Sequence, residues 1–255
     1  MPTILVTNDD GIASPGIKVL AKTLRSLGDV YVVAPETEQS AVAHALTLHR
    51  PLRSERVGNY TYCVNGTPTD CVIIAVSKVL PQKPDIIVSG INNGENLGDD
   101  ITYSGTVAAA MEGTLLGVPS IAVSLVRKNQ NNGAYRMVAS KFQTAADFAR
   151  ELTVKVLDRG LPDDTLLNVN VPKSRQIKGV KITKQGKMFY DNSIQDLSDP
   201  RGREYYWIGG GLPQWESGEN TDFEAIRGGY ISITPVHLDL TNYEALKYME
   251  ENWEI

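Results

Sequence analysis

Short apolar runs alternate with amphipathic segments along the first half of the chain. The runs at 4–6, 31–34 and 85–88 have the length and character of buried strands. Between the first two, Ser14 is a residue type that begins helices and Gly28 a type that ends them. This alternation is typical of an α/β fold in which helices cover both faces of an open, mostly parallel sheet, and we predict that fold class.

The same periodicity continues as far as the proline at position 172. It predicts further strands at 121–123 and 167–171, because both runs are short and apolar. It also predicts helices at 67–79, 104–117 and roughly 135–157, where apolar residues recur at helical spacing.

After Pro172 the pattern changes. Two strand-like runs lie at 178–184 and 229–234, and an aromatic Tyr-Tyr-Trp segment lies between them at 205–207. Residues 239–255 are expected to form a terminal helix or arm. This region lacks the apolar periodicity needed for a core of its own. We therefore predict an α/β catalytic core over residues 1–175, with residues 176–255 forming an appended hairpin and arm.

Composition restricts the classes of partner. The 255 residues carry a formal net charge of −5, which argues against general affinity for nucleic acid duplexes or anionic membranes. No apolar run approaches the ~18 residues needed to span a membrane. The N-terminus lacks the basic region of a signal peptide. We predict a cytoplasmic protein with Cys63 and Cys71 reduced. An anionic substrate would then require a local cation.

The best candidates for chemistry follow directly after predicted strands. Asp9 and Asp10 follow the first strand, Ser40 the second, and Asn92 the strand at 85–88. The carboxyl ends of parallel strands converge on one rim, where ligands bind. Adjacent carboxylates repel each other unless a cation lies beside them, and Mg²⁺ or Mn²⁺ prefers oxygen ligands of these kinds. The alternative for Asp-Asp-Gly is an ordinary turn and helix cap.

The histidines do not point to a transition-metal site. His44, His49 and His237 are scattered along the chain and no Cys/His cluster accompanies them, which argues against zinc. His44 follows Ser40 by four residues, but an exposed or core-edge histidine is the commoner case. The sequence therefore favours a hard divalent ion over zinc.

A second candidate site is the start of the helix predicted at 104–117. Ser104 and Thr106 supply hydroxyls, and Gly105 allows a ligand to approach the backbone closely. Free N–H groups and the helix dipole make such a start an anion site, which Asn96 in the preceding loop would extend with an amide donor. The alternative is a plain serine cap; the position beside the proposed metal rim favours a phosphate site.

Several other functions fit less well. Residues 11–16 have the glycine spacing of a P-loop, but Ile17 stands where that motif requires lysine, and no Gly-x-Gly-x-x-Gly indicates a dinucleotide cofactor. A receiver-like signalling switch would need an acceptor aspartate where Ser89 lies. A non-catalytic nucleotide-binding module would gain nothing from two uncompensated carboxylates. These two rivals remain as alternatives to a phosphatase.

Taken together, the motifs resemble the survival protein E (SurE) nucleotidase family. They are VTNDDG (6–11), VAP with QS (33–40), GTPTDC (66–71), SGIN (89–92), YSGT (103–106) and, near the end, ITP (233–235). They occur in the family's order and extend over nearly the whole chain. One departure is Glu95, which stands where the family often has proline and adds negative charge beside the predicted phosphate pocket.

The resemblance implies a Rossmann-like fold and a metal-dependent 5′/3′-nucleotidase that hydrolyses nucleoside monophosphates, with activity on short polyphosphate in some members. It implies one divalent cation per subunit, Mg²⁺ or Mn²⁺, and places phosphate near Asn96 and residues 104–106. It also implies a homodimer or homotetramer formed through the C-terminal extension. The ligand set it implies is the one reached above: Asp9, Asp10, Ser40 and Asn92.

These expectations lead to one hypothesis for the reaction. The cation offsets charge on the phosphate, the helix start orients the phosphoryl group, and water or a carboxylate attacks in line. Asp9 and Asp10 are the predicted catalytic residues. Whether either acts as base, as nucleophile or only as ligand is left open by the sequence.

Overall fold

A nine-stranded mixed sheet forms the centre of the protein in the computed structural model. The structure describes residues 1–126, 139–174, 176–189, 194–208, 214–216 and 218–253. In chain order, the strands within these residues are β1 (Thr3–Thr7), β2 (Asp29–Pro35), β3 (Ser54–Gly58), β4 (Thr61–Val64), β5 (Ile86–Asn93), β6 (Ser120–Leu125), β7 (Thr165–Val171), β8 (Val180–Ile182), β9 (Met188–Phe189), β10 (Ile194–Ser198), β11 (Glu204–Ile208), β12 (Gln214–Trp215) and β13 (Ile231–His237).

The strand order is β3-β4-β2-β1-β5-β6-β7-β13-β8. The six central strands, β4-β2-β1-β5-β6-β7, are parallel. β3 runs antiparallel to β4, and β13 runs antiparallel to β7. The chain proceeds from β1 to β2 on one side and later to β5 on the other. The order therefore reverses at β1, and Thr7 at the end of β1 pairs with Ser89 of β5. Such a reversal is where open α/β sheets bind ligands.

Helices cover both faces of the sheet, as predicted. In chain order they are α1 (Pro15–Leu24), α2 (Pro68–Ile74), α3 (Gly105–Leu115), α4 (Gln143–Arg159), α5 (Asp222–Arg227) and α6 (Tyr243–Asn252). α1 packs with α4 on one face, and α2 packs with α3 on the other.

Alternation along the buried strands divides the core between these faces. Ile4 and Val6 of β1 pack beneath α1 and α4, while Leu5 points to the opposite face with Val33 of β2 and Ile87 of β5. All of these side chains are buried. Burial on both faces explains why the strands appear as continuous apolar runs. The predicted fold class is confirmed.

Some predicted boundaries are wrong. α1 ends at Leu24, before Gly28, and Ser14 makes no capping hydrogen bond although it holds the N-cap position. The strand predicted at 85–88 continues to Asn93. The helix predicted at 67–79 is α-helical only to Ile74 and then forms a π-helical turn.

The long helix predicted at 135–157 is observed as α4, preceded by a 3₁₀ turn at Ala139–Phe142. The first four positions of that prediction, 135–138, lie outside the described residues. The predicted start is therefore untested and the predicted end falls two residues short of Arg159.

The C-terminal strands behave in two ways. β13 pairs with β7 and β8, so the main sheet includes two strands from the region predicted as the C-terminal extension, residues 176–255. β10 and β11 instead form a separate antiparallel hairpin that carries the aromatic segment at 205–207. No helix among the described residues is long and apolar enough to cross a membrane.

Candidate active site

Asp9 lies against the start of α3, which is the predicted phosphate site. Its side chain is 5% exposed, and Oδ1 accepts a short hydrogen bond from the hydroxyl of Thr106. A Cβ at Gly105 would lie 2.8 Å from Asp9 Cβ, so only glycine allows this approach. Ser104 caps the helix by accepting from the Val107 N–H at 3.1 Å. The Asp9 carboxylate is therefore fixed at the helix start that the sequence predicts to bind phosphate.

Asp10 contacts the segment that contains Asn92. Its Oδ2 accepts from the backbone N–H of Asn93 at 3.2 Å. The amide nitrogen of Asn92 donates to the carbonyl of Gly94 at 3.0 Å. That bond directs the Asn92 oxygen, the atom suited to a cation, away from the Gly94 carbonyl. The carboxyl ends of β1 and β5 are thus linked through Asp10.

Ser40 reaches the same rim on a loop after β2. The N–H of the preceding Gln39 donates to the Asp9 carbonyl at 2.8 Å, which joins this loop to the end of β1. Ser40 is exposed, and its hydroxyl donates to Glu38 at 2.6 Å. The hydroxyl oxygen keeps lone pairs for a cation, since donation uses only its hydrogen.

Residues 41–47, which we call the strap, run from Ser40 along α3 to the start of α2. Four contacts hold the strap at its middle and end. Ala43 N–H donates to the Tyr103 carbonyl at 3.1 Å, and His44 Nε2 lies 2.8 Å from Glu112 Oε2. The Ala45 carbonyl accepts from Thr67 at 2.8 Å, and Thr47 N–H donates to Asp70 at 3.0 Å.

Asn96 lies in a buried polar network beneath the loop that follows β5. Its amide nitrogen donates to Ser124 at 2.8 Å. Asn170 binds both ends of its backbone, accepting from its N–H and donating to its carbonyl, each at 2.9 Å. Asn168 donates to the same carbonyl at 2.9 Å. This network fixes the backbone of the proposed phosphate-binding residue and uses one hydrogen of its amide.

Asp222 ties the same loop to the C-terminal region. Its carboxylate accepts from the N–H of Gly98 at 2.8 Å and from that of Gly186 at 2.9 Å. Burial raises the pKa of Asp222, while these backbone donors oppose the rise. The loop after β5 is therefore held from below by Asn170 and from the side by Asp222.

The electrostatics of the rim favour a cation. Burial raises the pKa of Asp9, with a smaller contribution from the charge on Glu38, and the hydrogen bond from Thr106 opposes the rise. A raised pKa means that the ionised carboxylate lacks sufficient compensation from the protein alone. A cation beside Asp9 would supply that compensation.

Comparisons with known proteins agree with one another. The family model described as Survival protein SurE matches residues 4–192. Proteins called 5′-nucleotidase SurE from Geobacter sulfurreducens and Geotalea uraniireducens are 53% and 54% identical, each over 99% of this chain and over 94% and 99% of their own. The crystal structure of the SurE protein from Aquifex aeolicus is 46% identical, with a TM-score of 0.84, 98% of this chain and 99% of that chain being covered.

The chain belongs to the SurE family. The resemblance inferred from the motifs is thereby confirmed, as is the fold that it implied. Membership of this nucleotidase family implies a divalent cation. Among the described residues, no group of three or more His, Cys, Asp or Glu side chains is placed to hold a metal. The predicted set stays a prediction that this finding does not test, because it has only two carboxylates and completes its ligands with hydroxyl and amide oxygens.

Within this SurE-family site, contacts bring together four of the predicted segments. Asp9 contacts Gly105 and Thr106 directly, Asp10 contacts the residue after Asn92, and Asp9 contacts the residue before Ser40. The assignment of each residue to metal or phosphate stays a prediction.

Sequence reasoning missed the supports of the site. Asn168 and Asn170 alternate with apolar residues in a buried strand, and that unusual pattern was the available signal. Glu112, a carboxylate on the buried side of an alanine-rich helix, was the signal for a partner to His44. Ser124 gave no signal, since a single serine at the end of a strand is common.

Proposed function

We propose that this SurE-family chain is a metal-dependent 5′-nucleotidase that hydrolyses nucleoside monophosphates to nucleoside and phosphate. The observation that carries the proposal is the contact between Asp9 and the start of α3. Thr106 binds the Asp9 carboxylate, and Gly105 lets the helix start approach it closely. A carboxylate suited to a cation thus adjoins a helix start suited to a phosphate.

For the metal, we propose ligation by Asp9, Asp10, Ser40 and Asn92, with one Mg²⁺ or Mn²⁺ per subunit. When bound, such an ion polarises a phosphate oxygen and offsets the negative charge of the transition state. The support is chemical: hard oxygen donors on linked segments, and a buried carboxylate with a raised pKa.

For the phosphate, we propose the start of α3 at Ser104, Gly105 and Thr106, together with Asn96. The positive end of the helix dipole favours a phosphate at this start, where Ser104 already accepts from the Val107 N–H. Thr106 also holds Asp9 in place, so phosphate and carboxylate keep a constant relative position. Asn96 contributes from a backbone that its buried partners make rigid.

Two routes of attack fit these roles. Either Asp9 or Asp10 serves as a base or ligand while water attacks in line, or one of them attacks phosphorus and forms a phosphoryl-enzyme. Acid quench of a single turnover distinguishes them, because only the second route leaves a phosphoryl-enzyme to trap. In ¹⁸O water, attack of water on phosphorus labels the released phosphate by either route. An unlabelled phosphate with ¹⁸O in the enzyme carboxylate would show a phosphoryl-enzyme that water cleaves at the carbonyl carbon.

The decisive experiment measures phosphate release from 5′-nucleoside monophosphates and from p-nitrophenyl phosphate with EDTA, Mg²⁺ or Mn²⁺. We expect release only with metal, and a loss on the order of 10³-fold in Asp10→Asn. The matched control is Asp163→Asn, which changes an exposed carboxylate just before β7, at the amino ends of the parallel strands and away from the rim, and keeps full activity. No release by folded wild-type protein with either metal would reject the proposal.

The same substrate panel extends to 3′-monophosphates and short polyphosphate, which we propose as further substrates.

We also propose that residues 176–255 join subunits into a dimer or tetramer. Tyr206 and Trp207 on the β10–β11 hairpin are 60% and 63% exposed, an unusual exposure for large aromatic side chains. Light scattering of wild type and Trp207→Ser tests this, because a monomeric wild type would contradict it. The cytoplasmic location stays a prediction.

A further inference from the structure

A polar cleft lies beside the proposed metal rim, on the side of the neighbouring strand. Its volume is about 210 Å³, and its walls are the segment that follows β2 and the segment that follows β4. The residues that follow β2 contribute Glu36, Thr37 and Gln39 to the lining. The rest of the polar lining consists of Arg50, Asn65 and Gly66. Val64 is the one apolar side chain among the described lining residues. A cleft of this composition suits a polar ligand with both donors and acceptors.

The cleft and the metal rim share a wall. Gln39 lines the cleft, and its N–H donates to the Asp9 carbonyl at 2.8 Å. Thr37 also lines the cleft, and its carbonyl carbon lies 3.1 Å from the position that a Cβ would take at Gly11, the residue after the acid pair. A substrate with its phosphate at the rim would therefore have this cleft next to it.

Glu36 supplies the acceptor. It is the first residue after β2 and is exposed, and its N–H donates to the Val64 carbonyl at 2.9 Å, which fixes its backbone in the cleft wall. Within the described parts of the chain, no hydrogen bond or ion pair to its carboxylate is observed. In doubly wound sheets that bind dinucleotides, an acidic residue at the corresponding strand end accepts hydrogen bonds from ribose.

Arg50 supplies the donors. One guanidinium nitrogen donates to the Asn65 carbonyl at 2.6 Å, which holds the planar group at the cleft. An arginine fixed in this way has further N–H groups and a flat face, both suited to a nucleobase. The acceptor and the donors thus line one cleft from different segments of the chain.

We propose that this cleft is the nucleoside subsite, in which Glu36 accepts from a ribose hydroxyl and Arg50 contacts the base. The inference rests on the proposed nucleotidase function and adds how the leaving nucleoside is recognised. It also predicts which substrates are good ones, since a phosphomonoester without a nucleoside would leave the cleft unused.

The test compares Glu36→Ala with Glu55→Ala, a matched exposed glutamate on β3. The ratio of KM for adenosine 5′-monophosphate to KM for p-nitrophenyl phosphate should rise about tenfold in Glu36→Ala, as for the loss of a hydrogen bond to a charged group. The ratio should stay constant in Glu55→Ala. An unchanged ratio in both variants, or an equal change for both substrates in Glu36→Ala, would overturn the assignment.

A substrate change tests the ribose contact itself. For wild type, 2′,3′-dideoxyadenosine 5′-monophosphate should have a KM about tenfold above that of the ribonucleotide, and Glu36→Ala should add no further increase. Additive effects of the two changes would show that Glu36 does not bind the ribose hydroxyls.

Binding without turnover separates this inference from the proposed function. Calorimetric titration with adenosine should give weaker binding in Glu36→Ala and in Arg50→Met than in wild type or Glu55→Ala. Equal binding in all four proteins would reject the cleft even where hydrolysis proceeds. Nucleoside binding with no hydrolysis would instead reject the nucleotidase and keep the subsite.

Discussion

The two walls of the candidate site differ in how they are held. Asp9 and Thr106, which form the helix wall with the start of α3, are 5% and 0% exposed. Ser40 and the strap form the other wall, and most of their residues are exposed. The helix wall belongs to the buried interior, since Val107 and Ala109 beside it are fully buried. The strap depends instead on the few hydrogen bonds described above.

The strap also carries backbone strain. Ala41 and Ala43 have φ values of 56° and 54°, in the left-handed region, which costs roughly 1–2 kcal/mol for each non-glycine residue. The contacts of the strap with α2 and α3 must outweigh this cost. One wall of the site is therefore rigid by burial, and the other is positioned by specific contacts. Mutations should affect the walls differently.

The largest effect is expected from Asp9→Asn in the helix wall. The substitution preserves shape and the contact with Thr106, but it removes the charge that would bind the cation. We expect activity with saturating Mn²⁺ to fall on the order of 10³-fold. Phosphate release from a nucleoside monophosphate measures this. A decrease below tenfold would mean that the buried carboxylate is structural.

The same substitution should stabilise the metal-free protein as pH rises. Burial holds the pKa of Asp9 in the folded state above 3.8, so the folded state binds a proton more tightly than the unfolded state. Wild-type stability in EDTA should therefore fall, relative to Asp9→Asn, as pH rises from 3.8 through the folded-state pKa. Urea unfolding at several pH values tests this. A relative gain by wild type over that range would contradict it.

Much of the helix wall was predictable from sequence. A helix start with Ser104 as cap, placed after a strand-end loop, has local signals, and the acid pair directly follows an apolar strand. The contact between Asp9 and Thr106 joins residues 97 positions apart, so only the fold could reveal it. The parallel arrangement of the strands predicted one rim, but not which backbone groups join its segments.

The strap was less predictable for a physical reason. His44 is one exposed histidine among three in the sequence, and its partner Glu112 lies 68 positions away on another element. The extension of β5 to Asn93 was missed for a related reason. Polar residues such as Asn92 usually indicate a loop, and here pairing with β6 overrides that local preference.

Thr106→Val should have an intermediate effect. The change keeps the shape of the side chain but removes the hydroxyl that orients Asp9. Loss of such a supporting hydrogen bond typically reduces metal affinity or activity tenfold to a hundredfold. Thr106→Ser retains the hydroxyl and should restore most activity. Calorimetric titration with Mn²⁺ in the absence of substrate measures metal affinity separately from turnover. Equal Mn²⁺ affinity in wild type, Thr106→Val and Thr106→Ser would contradict the role of Thr106 in orienting Asp9.

The smallest effect is expected from His44→Ala in the strap. Its bond to Glu112 is partly exposed, with side chains 32% and 11% accessible, so its loss should cost only about 1 kcal/mol of folding stability. Because Ser40 directly precedes the strap, apparent Mn²⁺ affinity should fall roughly fivefold while kcat at saturating metal changes little. His49→Ala, an exposed histidine five residues further along, is the matched control. Equal loss in both variants would mean that the strap does not position Ser40, and that the exposed wall depends on the Gln39–Asp9 backbone bond alone.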